Sequence, residues 1–387
     1  MTPPLLTQGG PTYRLEEALG LGGPALARRL LRAAFLAIIA LVPLIALAAA
    51  QGLALGPDPR RSLLFDYAVY ARFLIAIPAF LFAEGVVDAR CGLILREFLD
   101  SHIVPEAQRG RFNAAIARAV RLRDHPLPEL ILLALAYLRV RGAIALTVSQ
   151  GQPTWWAPSI PDSQALSLPG WWYVLVSLPL YHFFVLLWVW RLVLWTLVLR
   201  SIAQLDLQLR ASHPDRMGGL GFLGLSLAPF GWVLFGVGAS YGAAALHGIV
   251  HQGATLRSLA PFLIVAAVVS VAVIAAPLLV FMGKLVLLRR QAILEYTSFA
   301  TRYTGLFESK WIGQRALGTP DLLGTSDIQS LADLSHGFEI VRQLRAVPLD
   351  PRALIPLAIA TVLPMLPAVV VAVGLRPLIN LIVKSVF

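Results

Sequence analysis

The chain has 387 residues, of which 58% are hydrophobic and only 14% are charged. Its mean hydropathy of +0.74 excludes an ordinary soluble protein, in which about 25% of the residues are charged. The formal net charge of +11 does not indicate nucleic-acid binding, because the basic residues stand between apolar runs. There they orient the chain and meet the anionic headgroups of a lipid bilayer.

The predicted fold is all-α: a polytopic integral membrane helix bundle of about seven transmembrane helices with a helical cytoplasmic part. Apolar runs of about 20 residues, the length that crosses a bilayer, recur along the chain. The predicted regions are a cytoplasmic N-terminal lead-in at 1–29, transmembrane helices 1–6 within 30–288 with cytoplasmic loops at 88–126 and 200–219, a cytoplasmic helical hairpin at 289–352, and a seventh transmembrane helix with a tail at 353–387.

The distribution of basic residues predicts the orientation. With the N-terminus inside, 23 of the 32 Lys and Arg residues fall in cytoplasmic regions and five fall outside. This positive-inside bias requires that residues 127–148 cross the membrane, although Arg139 and Arg141 lie near the middle of that run.

Two later spans carry distinctive patterns. The fifth, 220–246, contains six glycines, which predicts that its backbone packs closely against other helices. The sixth, 258–288, is expected to kink at Pro277, and nothing clearly breaks the helix before Trp311. An apolar stripe on the next helix predicts that this helix folds back on that extension; its members are Ile328, Leu331, Leu334, Phe338, Val341 and Leu344.

Between the fourth and fifth spans lies a polar, glycine-rich loop, Ser212–Gly224. Its end matches the letters G-x-G-x-x-G, but a dinucleotide site needs a preceding strand, which membrane helices do not provide. Glycine amides at a helix N-terminus beside Arg216 can hold an anion. Alternatively, Asp215 or Ser212 caps those amides and the glycines permit a tight turn. The candidate binding residues are His213, Asp215, Arg216, Gly218, Gly219 and Gly221.

Four arginines fall inside predicted spans, namely Arg72, Arg139, Arg141 and Arg191. An arginine near the bilayer centre costs about 2.5–3.5 kcal/mol even on the lenient insertion scale, so such residues usually face a cavity or a partner. His182, also mid-span, is a further candidate, although a helix–helix hydrogen bond is the more common role. Candidate acidic partners are Asp66, Glu84, Asp88 and Glu129.

A resemblance rests on the sequence His213-Pro214-Asp215-Arg216 followed by Gly218-Gly219-Leu220-Gly221, together with the later segment 326–334, SDIQSLADL. These motifs resemble a group of polytopic bacterial inner-membrane proteins of unassigned activity. The resemblance covers the second half of the chain and implies a bacterial cytoplasmic membrane, without any implied chemistry.

Three functions remain open from the sequence. The first is a channel or transporter for a small anionic solute, lined by the intramembrane arginines and the Ser212–Gly224 loop. The second is a non-catalytic assembly or scaffold protein whose cytoplasmic helices dock a protein partner or a second copy. The third is a membrane enzyme acting on a lipid phosphate through His213, Asp215 and Arg216. No cofactor, metal site or nucleic-acid partner is predicted, and a catalytic role is the less favoured one.

Overall fold

A computed structural model describes residues 6–23, 25–56, 58–151, 153–160, 166–312 and 326–373. Within these ranges the regular structure is helical and no β-strand forms. The principal helices are α1 (Gly10–Ala18), α2 (Leu26–Ala50), α3 (Tyr67–Asp100), α4 (Arg109–Asp124), α5 (Pro126–Gln150), α6 (Leu168–Ala203), α7 (Gly221–Gln252), α8 (Leu256–Trp311), α9 (Ser326–Arg342) and α10 (Pro351–Val373).

Seven of these helices, α2, α3, α5, α6, α7, α8 and α10, are long and apolar enough to cross a membrane. The all-α prediction with about seven spans is therefore confirmed, and the chain is a multi-pass membrane protein. The span that precedes the predicted 88–126 loop continues without a break to the end of α3 at Asp100, so the first part of that loop is helix. The predicted tail after residue 373 lies outside the described residues.

Helix α7 lies at the centre of the packing between α3 and α10. A Cβ atom added at Gly238 would lie only 2.1 Å from the carbonyl oxygen of Thr361, and one added at Gly242 would lie 2.7 Å from Cα of Met365. Gly236 is equally tight against α3. The apolar window of α7 is 61% buried, the largest share of the seven spans, which confirms the predicted close approach of its backbone.

The N-terminal segment is not a simple lead-in, because it is docked through hydrogen bonds onto three other helices. The amides of Leu6 and Thr7 donate to the two carboxylate oxygens of Asp88 in α3, at 2.8 and 3.1 Å. The amide of Gly10 donates to Asp124 in α4 at 3.0 Å. These contacts, which join distant parts of the chain, place α1 beside the first turns of α5.

Helix α8 contains 56 residues, about 84 Å at 1.5 Å per residue, and so extends far beyond a hydrocarbon layer of about 30 Å. A 3₁₀ stretch at Ala276–Phe281 interrupts it at the predicted Pro277, where a backbone donor is missing. Helix α9 folds back on the extension, and the Tyr296 and Phe338 rings stack with centroids 6.1 Å apart. The predicted helical continuation and the return of α9 are both confirmed.

At the opposite end of the bundle, the loop between α5 and α6 anchors the start of α3. Trp155 is 1% exposed and its indole N–H donates to Asp66 at 2.9 Å. The ring of Trp155 also contacts Tyr173 edge to face. This aromatic group is therefore interior, while Trp171 remains exposed as a residue at a membrane interface would be.

Candidate functional site

The Ser212–Gly224 loop is organised around the carboxylate of Asp215. Oδ1 accepts hydrogen bonds from the amides of Met217 at 2.8 Å and Gly219 at 3.2 Å, and Oδ2 accepts one from the amide of Gly221 at 2.8 Å. The loop amides, which the sequence suggested as donors to an external anion, are thus already hydrogen-bonded to Asp215. The alternative in which Asp215 caps them agrees with this geometry.

The loop also needs its glycines for backbone reasons. Gly218 and Gly219 have φ values of +70° and +94°, a region that L side chains rarely adopt. A Cβ atom at Gly221 would lie 3.0 Å from Oδ2 of Asp215. Arg216 also has a positive φ, +56°; its side chain is exposed, and its carbonyl accepts the Arg345 amide at 2.8 Å.

One face of this loop borders an open cavity of about 470 Å³ on the same side of the bundle as the α8–α9 hairpin. His102, which follows the C-terminus of α3, lines the cavity from the other side and, like Arg216, has a positive φ. The lining residues are Glu97, Ser101, His102, Ile103, Gln208, Arg210, His213, Asp215, Gly218, Gly219, Gly221 and Phe222.

The polar groups of this cavity include two imidazoles and one guanidinium. Nδ1 of His213 lies 2.9 Å from Oδ1 of Asp215. Partial burial acts to raise the pKa of Asp215, but the three loop amides and the His213 ring together hold that pKa below its usual 3.8. Asp215 therefore remains an ionised acceptor. The Nδ1 atoms of His102 and His213 are engaged by the Asp100 carbonyl and by Asp215, so the Arg210 guanidinium and the two Nε2 atoms remain for a bound group.

The cavity is joined to the hairpin through the loop. A Cβ atom at Gly218 would lie 3.2 and 3.3 Å from methyl carbons of Leu285 and Leu288 in α8. The hydrogen bond between Arg345 and Arg216 adds a second connection from the end of α9. Displacement of the hairpin base would therefore disturb the loop that forms one wall of the cavity.

Inside the helix bundle, Arg191 is part of a buried charge cluster. Glu84 of α3 bridges two arginines, with Oε1 at 2.9 Å from Nη2 of Arg191 and Oε2 at 2.8 Å from Nη1 of Arg32. Arg32 also lies 2.6 Å from Oε2 of Glu16. Burial raises the pKa of Glu16, against the opposing attraction of Arg32. With both carboxylates ionised the cluster is neutral, since two arginines meet two glutamates.

The other intramembrane candidates lie apart from this cluster. Arg72 donates to the hydroxyl of Tyr173 and lies over the Tyr181 ring, 5.7 Å from its centroid. His182 Nδ1 is 2.9 Å from the carbonyl oxygen of Leu178 in its own helix, so its hydrogen bond is not interhelical. Arg191 borders a small enclosed cavity together with Arg32 and Glu84, and the cavity beside the Ser212–Gly224 loop is lined by none of the four predicted arginines.

Arg139 and Arg141 both lie on the exposed surface of α5. Within the described ranges neither takes part in an ion pair, hydrogen bond or ring contact. Of the four predicted intramembrane arginines, these two have no hydrogen-bond, ion-pair or ring partner among the described residues, whereas Arg72 contacts Tyr173 and Tyr181 and Arg191 contacts Glu84.

Sequence reasoning identified Glu84 as a candidate counter-ion but did not identify Arg32, His102 or Arg210. Arg32 stands at the start of an apolar run, where positive charge usually marks the cytoplasmic end. His102 and Arg210 are separated by about a hundred residues, so only tertiary packing shows that they border one cavity. The one sequence signal for this cavity was the position of His102 directly after the long helix α3.

The chain matches no protein-family model, no curated protein and no solved structure. The geometry of the molecule is therefore the basis on which its function is argued.

Proposed function

We propose that the protein is a non-catalytic assembly protein of a bacterial cytoplasmic membrane, whose α8–α9 hairpin docks a cytoplasmic partner. The observation that carries this proposal is the set of large apolar side chains exposed on the hairpin. Leu294 and Leu306 are 72% and 71% exposed, on a part of α8 beyond the reach of one bilayer crossing. Exposed apolar patches outside the membrane mark interaction sites.

The docking surface lies mainly on α8. Of the predicted stripe on α9, Leu331, Leu334 and Phe338 are partly covered by α8, whereas Ile328 is exposed. Further exposed apolar residues on the hairpin are Phe299 and Ile312. Phe299 and Leu306 are seven residues apart, about 20° around the helix, whereas Leu294 lies about 120° from Leu306. The proposed contact therefore centres on Phe299 and Leu306.

The charge cluster also favours an assembly role over a solute path. Arg191, which the sequence suggested as part of an anion pathway, is already ion-paired with Glu84. The buried cluster of ion pairs fixes α2, α3 and α6 to one another, as a rigid membrane anchor for a docking arm would require.

Site-specific photo-crosslinking in intact cells tests the docking proposal. A photoreactive residue at Leu306 is expected to give one discrete adduct, whereas the same residue at Glu308 is expected to give none. Glu308 is a matched control because it is exposed on the same helix but points about 160° away from Leu306. A Phe299→Glu substitution should remove the Leu306 adduct. Equal adducts at both positions, or none at Leu306, would contradict the proposal.

The proposed orientation places the N-terminus in the cytoplasm. Its support is that α1, α4, the Ser212–Gly224 loop and the hairpin share one end of the bundle, where most of the basic residues lie. A membrane-impermeant thiol reagent applied to intact spheroplasts should label Gln252→Cys and leave Ser330→Cys unlabelled. Cys91 is buried and gives little background. Labelling of Ser330→Cys in sealed spheroplasts would reverse the orientation.

A second candidate function is binding of a small anion at the 470 Å³ cavity, favoured by the Arg210 guanidinium, with the His102 and His213 rings in the same lining. In this version the ligands are these side chains, not the loop amides or Arg216. Titration with inorganic phosphate followed by ³¹P line broadening should show binding that Arg210→Gln weakens and Arg216→Gln does not. Anion flux in proteoliposomes, compared with Arg191→Ala, would then separate a pathway from a binding site. Identical phosphate titrations for the native protein, Arg210→Gln and Arg216→Gln would contradict this second function.

A further inference from the structure

Helix α5 is the least covered of the seven spans. Only 17% of its apolar window is buried within the molecule. Its buried residues Leu132, Ala136 and Val140 recur every four positions and form one stripe, which faces α6. Most of the other residues of this helix are exposed on the surface of the molecule.

An apolar groove of about 760 Å³ runs along one flank of α5, between α2 and α6. Leu36 and Ile39 of α2 form one wall, Leu133 and Tyr137 of α5 form the other, and Phe183 of α6 contributes to the floor. The docked N-terminal segment closes one end, where the Thr12 amide and hydroxyl donate to Glu129 at 2.7 and 2.5 Å. The groove is thus a preformed, almost wholly apolar binding surface within the membrane-spanning part of the molecule.

Arg141 continues the groove-lining row of α5. It follows Tyr137 by four residues, about 40° around the helix, while Arg139 lies about 160° from Tyr137 on the other flank of the buried stripe. Arg141 is also nine residues from the end of α5 at Gln150, about 14 Å at 1.5 Å per residue. Its charge is therefore deep in the membrane and, among the described residues, has no carboxylate partner.

The apolar groove and the charge of Arg141, unpaired among the described residues, together indicate which kind of molecule binds to this surface. A lipid chain would fill the apolar groove, but lipid phosphates lie at the membrane surfaces and bring no negative charge to mid-depth. A second copy of α5 would bring Arg139 and Arg141 towards their own equivalents, which opposes self-association through this face. A transmembrane helix with one carboxylate at mid-depth fills the groove and supplies the missing counter-charge, the usual arrangement for ionisable groups inside a membrane.

We propose that the groove between α2, α5 and α6 receives a transmembrane helix of a partner protein that carries an Asp or Glu at mid-depth, paired with Arg141. The proposal rests on the assembly function proposed above and adds the class of partner, a membrane protein with an acidic transmembrane helix. Apolar packing along the groove supplies contact area, and the single ion pair fixes the depth and rotation of the incoming helix.

The test uses the full chain reconstituted in lipid vesicles with fluorescently labelled synthetic transmembrane peptides. A Leu/Ala peptide with one central Asp is expected to associate, measured by energy transfer, at least tenfold more tightly than the same peptide with Leu at that position. Arg141→Leu should abolish this difference, Arg141→Lys should retain most of it, and Arg139→Leu on the opposite flank should leave it unchanged.

Equal association of the Asp and Leu peptides with the native protein would overturn the proposal and assign the groove to lipid chains. Loss of the preference with Arg139→Leu instead of Arg141→Leu would also overturn it, because the pairing would then lie on the other flank. Arg141→Lys covers the case in which Arg141→Leu does not fold. A persistent Leu306 crosslink alongside a failed peptide test would leave the hairpin function standing and remove only the groove inference.

Discussion

Glu84 is the residue on which the buried charges depend, because it contacts both Arg32 and Arg191. Glu84→Gln would leave two buried guanidinium groups with only Glu16 as counter-charge, and breaking a buried ion pair destabilises by about 3–5 kcal/mol. We expect a large fall in the thermal unfolding midpoint of the purified protein in detergent. Glu106→Gln is the control, because it breaks an exposed pair with Arg109 that contributes at most about 1 kcal/mol. Similar midpoints for the two variants would contradict the role of Glu84.

Asp215 gives the loop a defined pH dependence. A carboxyl whose pKa is lower in the native state stabilises that state fully above its unfolded pKa and loses the contribution as pH falls through the native value. Because the native pKa lies below 3.8, the amides of Met217, Gly219 and Gly221 should stay protected from hydrogen exchange at pH 5 to 7. Their protection should fall below about pH 3.8. Asp215→Asn should reduce it at all pH values, and Asp350→Asn should not. If protection of these amides in the native protein did not depend on pH, contacts other than those of Asp215 would hold the loop.

Among the elements, α7 depends on the absence of side chains at its contact with α10. An Ala side chain at Gly238 would place Cβ 2.1 Å from the Thr361 carbonyl oxygen, so the two helices would have to separate; overpacking of this kind costs about 1–3 kcal/mol. Gly142→Ala in α5 is the matched control, because nothing lies within 4 Å of its added Cβ and Ala favours a helix by about 1 kcal/mol. We expect Gly238→Ala to lower the unfolding midpoint and Gly142→Ala to maintain or raise it. A shift of the same sign in both variants would argue against tight packing at Gly238.

The sequence predicted those features of the elements that depend on local composition. Apolar length defined the seven spans, glycine spacing identified α7 as the closely packed helix, and the unbroken run after Pro277 predicted the extension of α8. The Asp215 cap was one of two local alternatives, since an aspartate just before a glycine run can reach the amides that follow it. Docking of residues 6–12 was not predictable, because its acceptors lie on α3, α4 and α5. The cavity shared by His102 and Arg210 likewise depends on how distant helix ends pack.

At the scale of the whole molecule, one end of the bundle carries the docked N-terminal segment, the cavity and the hairpin. Glu16 of α1 reaches Arg32 in the charge cluster, while Arg216 connects the loop to the end of α9. The same end thus couples residues 6–16 to the charge cluster, and the hairpin to the cavity. Such links make the N-terminal segment a structural part of the bundle.

Asp88 tests this structural role, since its carboxylate accepts the amides of Leu6 and Thr7. Hydrogen bonds to a charged group contribute about 1.5–3 kcal/mol each, and about 1.4 kcal/mol corresponds to a tenfold change in an opening equilibrium. One such bond corresponds to roughly 10- to 100-fold, so Asp88→Ala, which removes both, should accelerate hydrogen exchange across residues 6–12 by at least about tenfold. Asp100→Ala, at the exposed end of the same helix, should leave that exchange unchanged. If release of the segment also frees Arg32 from Glu16, the Asp88 variant should lower the global unfolding midpoint. Faster exchange with an unchanged midpoint would show that the segment opens independently of the charge cluster, whereas equal exchange in both variants would show that Asp88 does not hold the segment in place.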